Sequence, residues 1–140
     1  MVKKAAKKDE QVLFYQFSDM DKLTAIREVL DKLHIRSQLV PEAGYRQKVG
    51  YLLGLKGFSA VQPQDDDDFV FPHEVMILHN IKNKRLDMVL TAMGDAKIPP
   101  VRFKAVVTPF NTLWTLRRLC ETMQKEHAAM VTGKDDKKDE

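Results

Sequence analysis

The sequence has little cysteine, no long apolar run and no strong excess of charge of one sign. Cys120 is the single cysteine of the chain, so an internal disulfide and a cysteine-cluster zinc site are excluded. No apolar run approaches the roughly 20 residues that span a bilayer, and no apolar segment follows the N-terminal lysines to complete a signal peptide. These absences predict a cytoplasmic protein without a membrane association.

The charge is spread unevenly along the chain, although the formal net charge is only +3. Residues 1–10 hold four lysines and two acids, and residues 131–140 hold three lysines and four acids, so both ends are predicted to be disordered tails. The run Asp65–Asp68 is predicted to be a solvated linker; its alternative role is a weak Ca²⁺ or Mg²⁺ site, without the alternating ligands of a calcium loop. The mild basic excess of the body does not favour nucleic-acid binding.

An internal repeat is the clearest architectural signal. Residues 11–35 align without a gap on residues 74–98 at an offset of 63, and 11 of the 13 apolar positions of the first segment are apolar in the second. A strand pattern, a loop and a helix pattern stay in register throughout. The simplest interpretation is a duplicated supersecondary unit, with repeats over 11–55 and 74–130 inside one globular domain over 11–130.

The order of apolar patterns predicts an α/β fold with a β-α-β-α unit in each repeat. Val12–Tyr15 and Val75–Leu78 are fully apolar, so both strands are expected at the centre of a four-stranded sheet of order 2-1-3-4, covered by helices. The halves could meet in parallel or antiparallel. A second helix is expected from Ala43, and a last helix from Asn111 or Thr112 to about Ala129.

A strand, a turn and a helix near the C-terminus resemble a known family. Lys104–Val107 is followed by Thr108-Pro109-Phe110-Asn111-Thr112-Leu113-Trp114-Thr115-Leu116 and by a charged helix ending Lys125-Glu126-His127. This segment resembles a prokaryotic family, domain of unknown function 3783, over roughly residues 74–127. In the first repeat, Val40–Tyr45 occupies the position of this turn and lacks its motif. The first repeat therefore looks like a divergent copy of the second. The family brings no established activity, and no site residue is carried over from it.

The turn has a structural and a functional interpretation. Pro109 ends the strand, Asn111 or Thr112 can cap the last helix, and Trp114 can hold that helix against the sheet. In the functional interpretation, the amides of this helix start bind an anion beside Thr108, Asn111 and Thr112.

Four polar residues follow the two central strands and form the second candidate site. Ser18 and Asp19 come after the first central strand, and His79 and Asn80 come at the end of the other. If these strands are parallel, the four residues meet at the switch point where open sheets bind ligands. The alternative is that they only cap helices, with His79 as a polar neighbour.

Known catalytic and cofactor motifs are missing from the sequence. It has no dinucleotide fingerprint, no P-loop and no serine or cysteine with an identifiable base, and the four histidines do not have metal-ligand spacing. We therefore expect no cofactor and no metal, and a non-enzymatic binding or regulatory module for a small anionic ligand or a protein partner. The alternative is a small enzyme that uses His79 with Asp19. A homodimer through the short strand Arg36–Val40 is also plausible.

Overall fold

Two strongly apolar strands lie at the centre of the sheet and run in opposite directions. The computed structural model describes residues 9–62 and 69–139, with side chains as far as residue 127. Strands β1 (Gln11–Tyr15) and β3 (Val75–His79) pair antiparallel, with Leu13 opposite Ile77 at the middle of the ladder. All of β1 and four residues of β3 are buried, as fully apolar central strands should be.

The outer strands complete a mixed sheet. β2 (Arg36–Leu39) pairs in parallel with β1, and β4 (Phe103–Val106) pairs in parallel with β3. The order is β2-β1-β3-β4, which confirms the predicted fold class and strand order. Of the two arrangements that the sequence left open, the antiparallel meeting of the halves is the one found. The predicted duplication stays a prediction.

Four α-helices occur in the described part of the chain: α1 (Met20–Lys32), α2 (Val49–Leu52), α3 (Asn83–Asp95) and α4 (Leu116–Asp139). α1 and α3 are equally long and start 63 residues apart, in agreement with the sequence offset. None of the described helices is long and apolar enough to cross a membrane.

The chain divides into two compact units, and each half contributes to both. Unit 1 is built from Met1–Ala43 with Phe71–Pro109, and unit 2 from Gly44–Val70 with Phe110–Glu140. Unit 1 therefore holds the sheet with α1 and α3, and unit 2 holds α2 and α4. The predicted tail as far as residue 8 and the acidic run Asp65–Asp68 lie outside the described residues.

The core of unit 1 lies between one face of the sheet and the helices α1 and α3. Alternate residues of β1 and β3 point into it, because side chains along a strand alternate between faces. The helices add side chains at spacings of three and four. The buried cluster consists of Val12, Phe14, Phe17, Leu23, Ile26, Val29, Leu30, Ile35, Met76, Leu78, Ile81, Val89, Met93, Ile98 and Val101.

Corresponding helix ends in the two halves have the same backbone conformation. His34 and Lys97 follow α1 and α3 with φ of 62° and 59°, in the left-handed region. Behind them the amide of Ile35 donates to the carbonyl of Leu30 at 2.9 Å, and that of Ile98 to Met93 at 3.0 Å. These are Schellman ends, which usually place glycine at the left-handed position.

Unit 2 joins the two halves through a pair of reciprocal hydrogen bonds. The amide of Val49 donates to the carbonyl of Trp114, and the amide of Leu116 donates to the carbonyl of Gln47, both at 2.9 Å. Between them Lys48 and Thr115 form an antiparallel bridge. In each half a 3₁₀ helix precedes this bridge, Glu42–Arg46 in one and Asn111–Leu113 in the other.

The helices of unit 2 begin later than the sequence predicts. The segment after Ala43 is a 3₁₀ helix, and α2 has only four residues because Gly54, at φ 77°, ends the helix in a left-handed conformation. Gly50 leaves space for the ring of Phe58, since a Cβ there would lie 2.4 Å from it. α4 starts at Leu116 instead of Asn111 or Thr112, and it continues past Ala129 to Asp139.

Candidate functional site

The antiparallel central strands separate the residues of the predicted switch-point site. His79 pairs with Gln11, whereas Ser18 and Asp19 follow Tyr15, which pairs with Val75 at the opposite end of the ladder. A five-residue strand, about 16 Å long, lies between the two groups. The predicted cluster of Ser18, Asp19, His79 and Asn80 is therefore wrong as a single site, because it required parallel strands.

Ser18 and Asp19 have the structural role that the sequence offered as their alternative. Asp19 is the N-cap of α1, where its carboxylate accepts a hydrogen bond from the amide of Lys22 at 3.1 Å. Ser18 is exposed next to it. A capping carboxylate also interacts favourably with the positive end of the helix dipole.

At the end of the sheet where β3 finishes, a charged group surrounds His79. We call it the His79 edge and define it as Asp9, Glu10, Arg36, His79, Asn80 and Arg85. Asn80 has a left-handed φ of 60°, and its side-chain amide donates to the carbonyl of Asp9 at 3.2 Å. Arg36 forms an ion pair with the Asp9 carboxylate. Burial lowers the pKa of His79; the Asp9 charge raises it and the Arg36 charge lowers it further.

A buried carboxylate at the His79 edge is bound by one arginine. Two of the three guanidinium nitrogens of Arg85 donate to Glu10, Nε to Oε2 at 2.9 Å and Nη2 to Oε1 at 2.8 Å. Nη2 also donates to the carbonyl of Leu33 at 2.6 Å. The hydrogen bond to Glu10 raises the pKa of Arg85, so the guanidinium stays charged. Because the planar guanidinium of Arg85 binds a carboxylate and a carbonyl together, it leaves little space for a ligand beside it.

The opposite end of the sheet contains the counterpart of this ion pair. Glu74 stands immediately before β3, as Glu10 stands immediately before β1, and Lys22 occupies the third position of α1, as Arg85 does in α3. Lys22 Nζ donates to Glu74 Oε1 at 2.7 Å and to the carbonyl of Pro100 at 3.4 Å. In each case the carboxylate of one half pairs with the first helix of the other half.

A pocket of about 580 Å³ opens beside this second ion pair. It is lined by residues 72–74, 100–102 and 104, all of them in unit 1. We call it the Glu74 pocket. The parallel pairing of β3 with β4 creates it, because Val75 lies opposite Phe103 and the segments before the two strands are therefore neighbours. Pro72, Pro100 and Val101 supply apolar wall, and the other four residues are polar.

The Glu74 pocket has an excess of positive charge. The Glu74 carboxylate is neutralised by Lys22. Lys104 Nζ donates to the carbonyl of Val101 at 2.5 Å, and Arg102 is exposed; no described carboxylate forms an ion pair with either. Among the described residues, two cationic groups therefore border a cavity whose lining carboxylate, Glu74, is paired with Lys22.

An aromatic stack holds the histidine of the pocket wall. The ring of His73 lies 5.0 Å from that of Phe103, with an interplanar angle of 35°, and 5.6 Å edge-on from that of Phe71. Phe71 and Phe103 are buried and themselves meet edge to face at 5.4 Å. These contacts restrict the position of the imidazole at the pocket.

The predicted anion site of the turn is divided between the units. Thr108 is an exposed residue of unit 1, whereas Asn111 and Thr112 begin the 3₁₀ helix of unit 2. Asn111 is buried and Thr112 is half-buried. The prediction that one of them caps the last helix is wrong, because that cap is Thr115, whose Oγ1 accepts from the amide of Arg118 at 3.1 Å.

The remaining reactive groups do not form a second site. Cys120 is fully buried, and burial together with the Glu121 charge raises the pKa of its thiol to about 12, so it stays a neutral thiol in the core. Within residues 9–62 and 69–127, no three histidine, cysteine, aspartate or glutamate side chains come together in a way that could hold a metal ion.

Part of the second half of the chain matches the model of a protein family. Residues 74–130 match the family model of a domain of unknown function (DUF3783). This confirms the resemblance that the Thr108–Leu116 motif indicates. No curated protein and no solved structure matches the chain.

The DUF3783 match includes most of the pocket that the sequence did not predict. Glu74, Arg102 and Lys104 lie inside it, and His73 lies one residue before it. The predicted β-α-β-α order is itself a signal for this pocket, because consecutive strands joined by a helix pair in parallel. Parallel pairing brings together the polar residues that precede the third and fourth strands, whereas the predicted site residues follow strands or lie at a strand end.

Proposed function

We propose that this protein is a non-enzymatic binding module and that its Glu74 pocket holds a small organic anion. The observation that supports the proposal is the pair of cations, Arg102 and Lys104, which border the cavity without an offsetting carboxylate among the described residues. Ligand sites are concave, partly apolar and furnished with a few converging polar groups, and this pocket has that composition.

The chemistry of the two cations favours a phosphate or a carboxylate. A guanidinium offers two parallel donors that match the oxygens of either group, and an ammonium adds a compact positive charge. Lys104 now donates only to a backbone carbonyl, which an anionic oxygen would replace as a stronger acceptor. Glu74 is already paired with Lys22, so it does not repel the ligand with a free charge.

The dimensions of the pocket favour an organic anion over an inorganic one. Its volume of about 580 Å³ lies within the range of small-molecule sites, roughly 300–1,000 Å³. Pro72 and Pro100 give the uncharged part of such a ligand an apolar surface, which inorganic phosphate would not use.

Binding can be tested by calorimetry with a panel of probes. We would titrate the full chain with a hexose phosphate, adenosine monophosphate, citrate and inorganic phosphate. At least one organic anion should bind saturably and more tightly than inorganic phosphate. Arg102→Gln should weaken that binding about tenfold or more, because a hydrogen bond to a charged group contributes about 1.5–3 kcal/mol. Lys104→Gln should act in the same direction.

The matched control is Lys84→Gln, which removes the same charge from an exposed position of α3. It should leave binding unchanged. Absence of saturable binding for every organic anion would refute the proposal, as would an equal loss of affinity in Lys84→Gln.

The other expectations from the sequence stay predictions. The alternative was a small enzyme that uses His79 with Asp19. These two residues cannot act together, because the antiparallel central strands place them at opposite ends of the sheet. A homodimer through β2 is compatible with its position at one edge of the sheet, where three of its four residues are exposed. A cytoplasmic location is still expected from the single cysteine.

A further inference from the structure

Two strongly exposed apolar side chains lie close together in unit 2. Phe110 is 79% exposed and Leu113 is 61% exposed. Phe110 has helical backbone angles, and the amide of Leu113 donates to its carbonyl at 3.2 Å, so the two residues stand one 3₁₀ turn apart. Residues three apart eclipse each other in a 3₁₀ helix, which puts both side chains on one side of the turn.

The turn that carries these side chains is held by its neighbours. Asn111 is buried, and its carbonyl accepts from the amide of Trp114 at 3.2 Å. The next residue, Thr115, forms the bridge with Lys48. These contacts hold the backbone of the turn that carries the exposed apolar pair. The backbone therefore loses little freedom when a partner binds, and this lowers the entropic cost of binding.

Two cations belong to residues that contact Trp114 and Thr115, directly after the turn. The guanidinium of Arg118 lies 4.3 Å from the centre of the Trp114 ring, and Lys48 is exposed opposite Thr115. No described carboxylate forms an ion pair with Arg118 or Lys48, whereas the neighbouring Arg117 is paired with Glu121 at 3.2 Å. The surface therefore combines apolar anchors with positive charge that is not offset.

We propose that this surface, composed of Phe110, Leu113, Trp114, Lys48 and Arg118, docks an acidic segment of another protein that inserts an apolar side chain. We call it the Phe110 surface. Charge complementarity selects the partner: carboxylates would pair with Lys48 and Arg118, while the anchor would pack on Phe110 and Leu113. Trp and Arg are the residue types that contribute most at such interfaces.

The same charges disfavour the other occupants. In an isologous dimer the surface would meet a copy of itself, so identical cations would face each other across the interface. A nucleic acid would need more phosphate contacts than two cations provide. The Phe110 surface lies wholly in unit 2, so it is independent of the Glu74 pocket in unit 1.

The test is a selection from a random peptide library displayed on phage, with the full chain as bait. The selected peptides should be rich in aspartate and glutamate around one or two apolar residues. Peptides synthesised from the selected sequences should bind in fluorescence anisotropy. The double variant Phe110→Ser with Leu113→Ser should weaken binding at least tenfold, without a change of the melting temperature. Arg118→Glu should also weaken it, and replacing glutamates of the peptide with lysines should restore binding to that variant.

The control is Met88→Ser, which alters an exposed apolar residue of α3 in unit 1 and should leave peptide binding unchanged. Failure to select any peptide, selection of peptides without acidic residues, or an equal effect of Met88→Ser would overturn the proposal. Two further results would assign the surface to other occupants and overturn it as well. One is a dimer in sedimentation equilibrium that the double variant dissociates; the other is tighter binding of single-stranded DNA that the same variant abolishes.

Discussion

Each end of the sheet carries an ion pair between a carboxylate that precedes one central strand and the first helix of the other half. At the His79 edge, Arg85 encloses Glu10 with two side-chain hydrogen bonds and a third to a carbonyl. At the opposite end, Lys22 makes a single 2.7 Å contact with Glu74 and a long contact with Pro100. A pocket of about 580 Å³ borders the second pair. The first end is closed by hydrogen bonding, and the second keeps accessible polar groups.

The difference between arginine and lysine accounts for much of this contrast. A guanidinium satisfies two carboxylate oxygens and another acceptor with fixed geometry, while an ammonium is a point charge on a mobile stem. In the second half, positive charge is also added at the strand starts, where Arg102 and Lys104 border the cavity. The sheet thus has a structural ion pair, Arg85 with Glu10, at one end and a candidate binding site, the Glu74 pocket, at the other.

The largest predicted effect comes from removing the ion pair between Arg85 and Glu10. Arg85→Met leaves the carboxylate of Glu10, only 9% exposed, without its charged partner, and should lower the free energy of unfolding by about 2–3 kcal/mol. Lys22→Met should cost only about 1 kcal/mol, because Glu74 is more exposed and loses a single contact. Urea denaturation of both variants measures the difference.

A double variant shows whether the buried charge causes that cost. Glu10→Gln combined with Arg85→Met removes both charges, so it should be more stable than Arg85→Met alone. Equal losses for Arg85→Met and Lys22→Met would contradict the contrast between the two ends. A double variant no more stable than Arg85→Met would instead attribute the cost to lost packing of the arginine stem.

The strand order could be predicted from the sequence, but the direction of the halves could not. Val12–Tyr15 and Val75–Leu78 are apolar throughout, which indicates central strands whichever way they run. Both directions bury the same side chains, because alternation along a strand does not depend on its neighbour's direction. The candidate site at Ser18 and His79 depended on that direction, and it was therefore wrong although the strands were correct.

Short elements escaped prediction for a different reason. The helices α1 and α3 span more than three turns, so their apolar periodicity is clear, and Asp19 was identified as a possible cap. The 3₁₀ helix Glu42–Arg46 and the four-residue α2 are too short to show a period. The exposure of Phe110 likewise depends on the conformation of its turn, which no periodicity defines.

A second, smaller prediction compares the starts of the paired helices. Asp19 caps α1 with its side chain, whereas Lys82, at the N-cap of α3, makes no such bond despite an extended backbone. Asp19→Ala should lower the free energy of unfolding by about 1 kcal/mol, and Lys82→Asp should raise it by about 0.5 kcal/mol. Glu28→Ala, at an exposed mid-helix position of α1, is the acid-to-alanine control. A stabilising Asp19→Ala would mean that the cap seen at 3.1 Å does not contribute.

The smallest predicted effect concerns the histidine of the closed end. Burial lowers the pKa of His79 below its usual value of 6.5. The unfolded chain therefore binds this proton at higher pH than the native protein, and stability must fall as the pH falls through about 6.5. His79→Gln should remove this component, so the stability of wild type relative to the variant, measured by urea denaturation, should be lower at pH 5 than at pH 7.

The neighbouring charges predict the direction of two further changes. Arg36→Gln removes a charge that lowers the pKa of His79 and should make the acid-induced loss smaller, while Asp9→Asn should make it larger. His34→Gln controls for replacement of a histidine, because His34 is exposed on the surface. If His79→Gln changes the pH dependence of the free energy of unfolding no more than His34→Gln does, burial of the His79 imidazole has no thermodynamic consequence. The contrast between the two ends of the sheet then rests on their ion pairs alone.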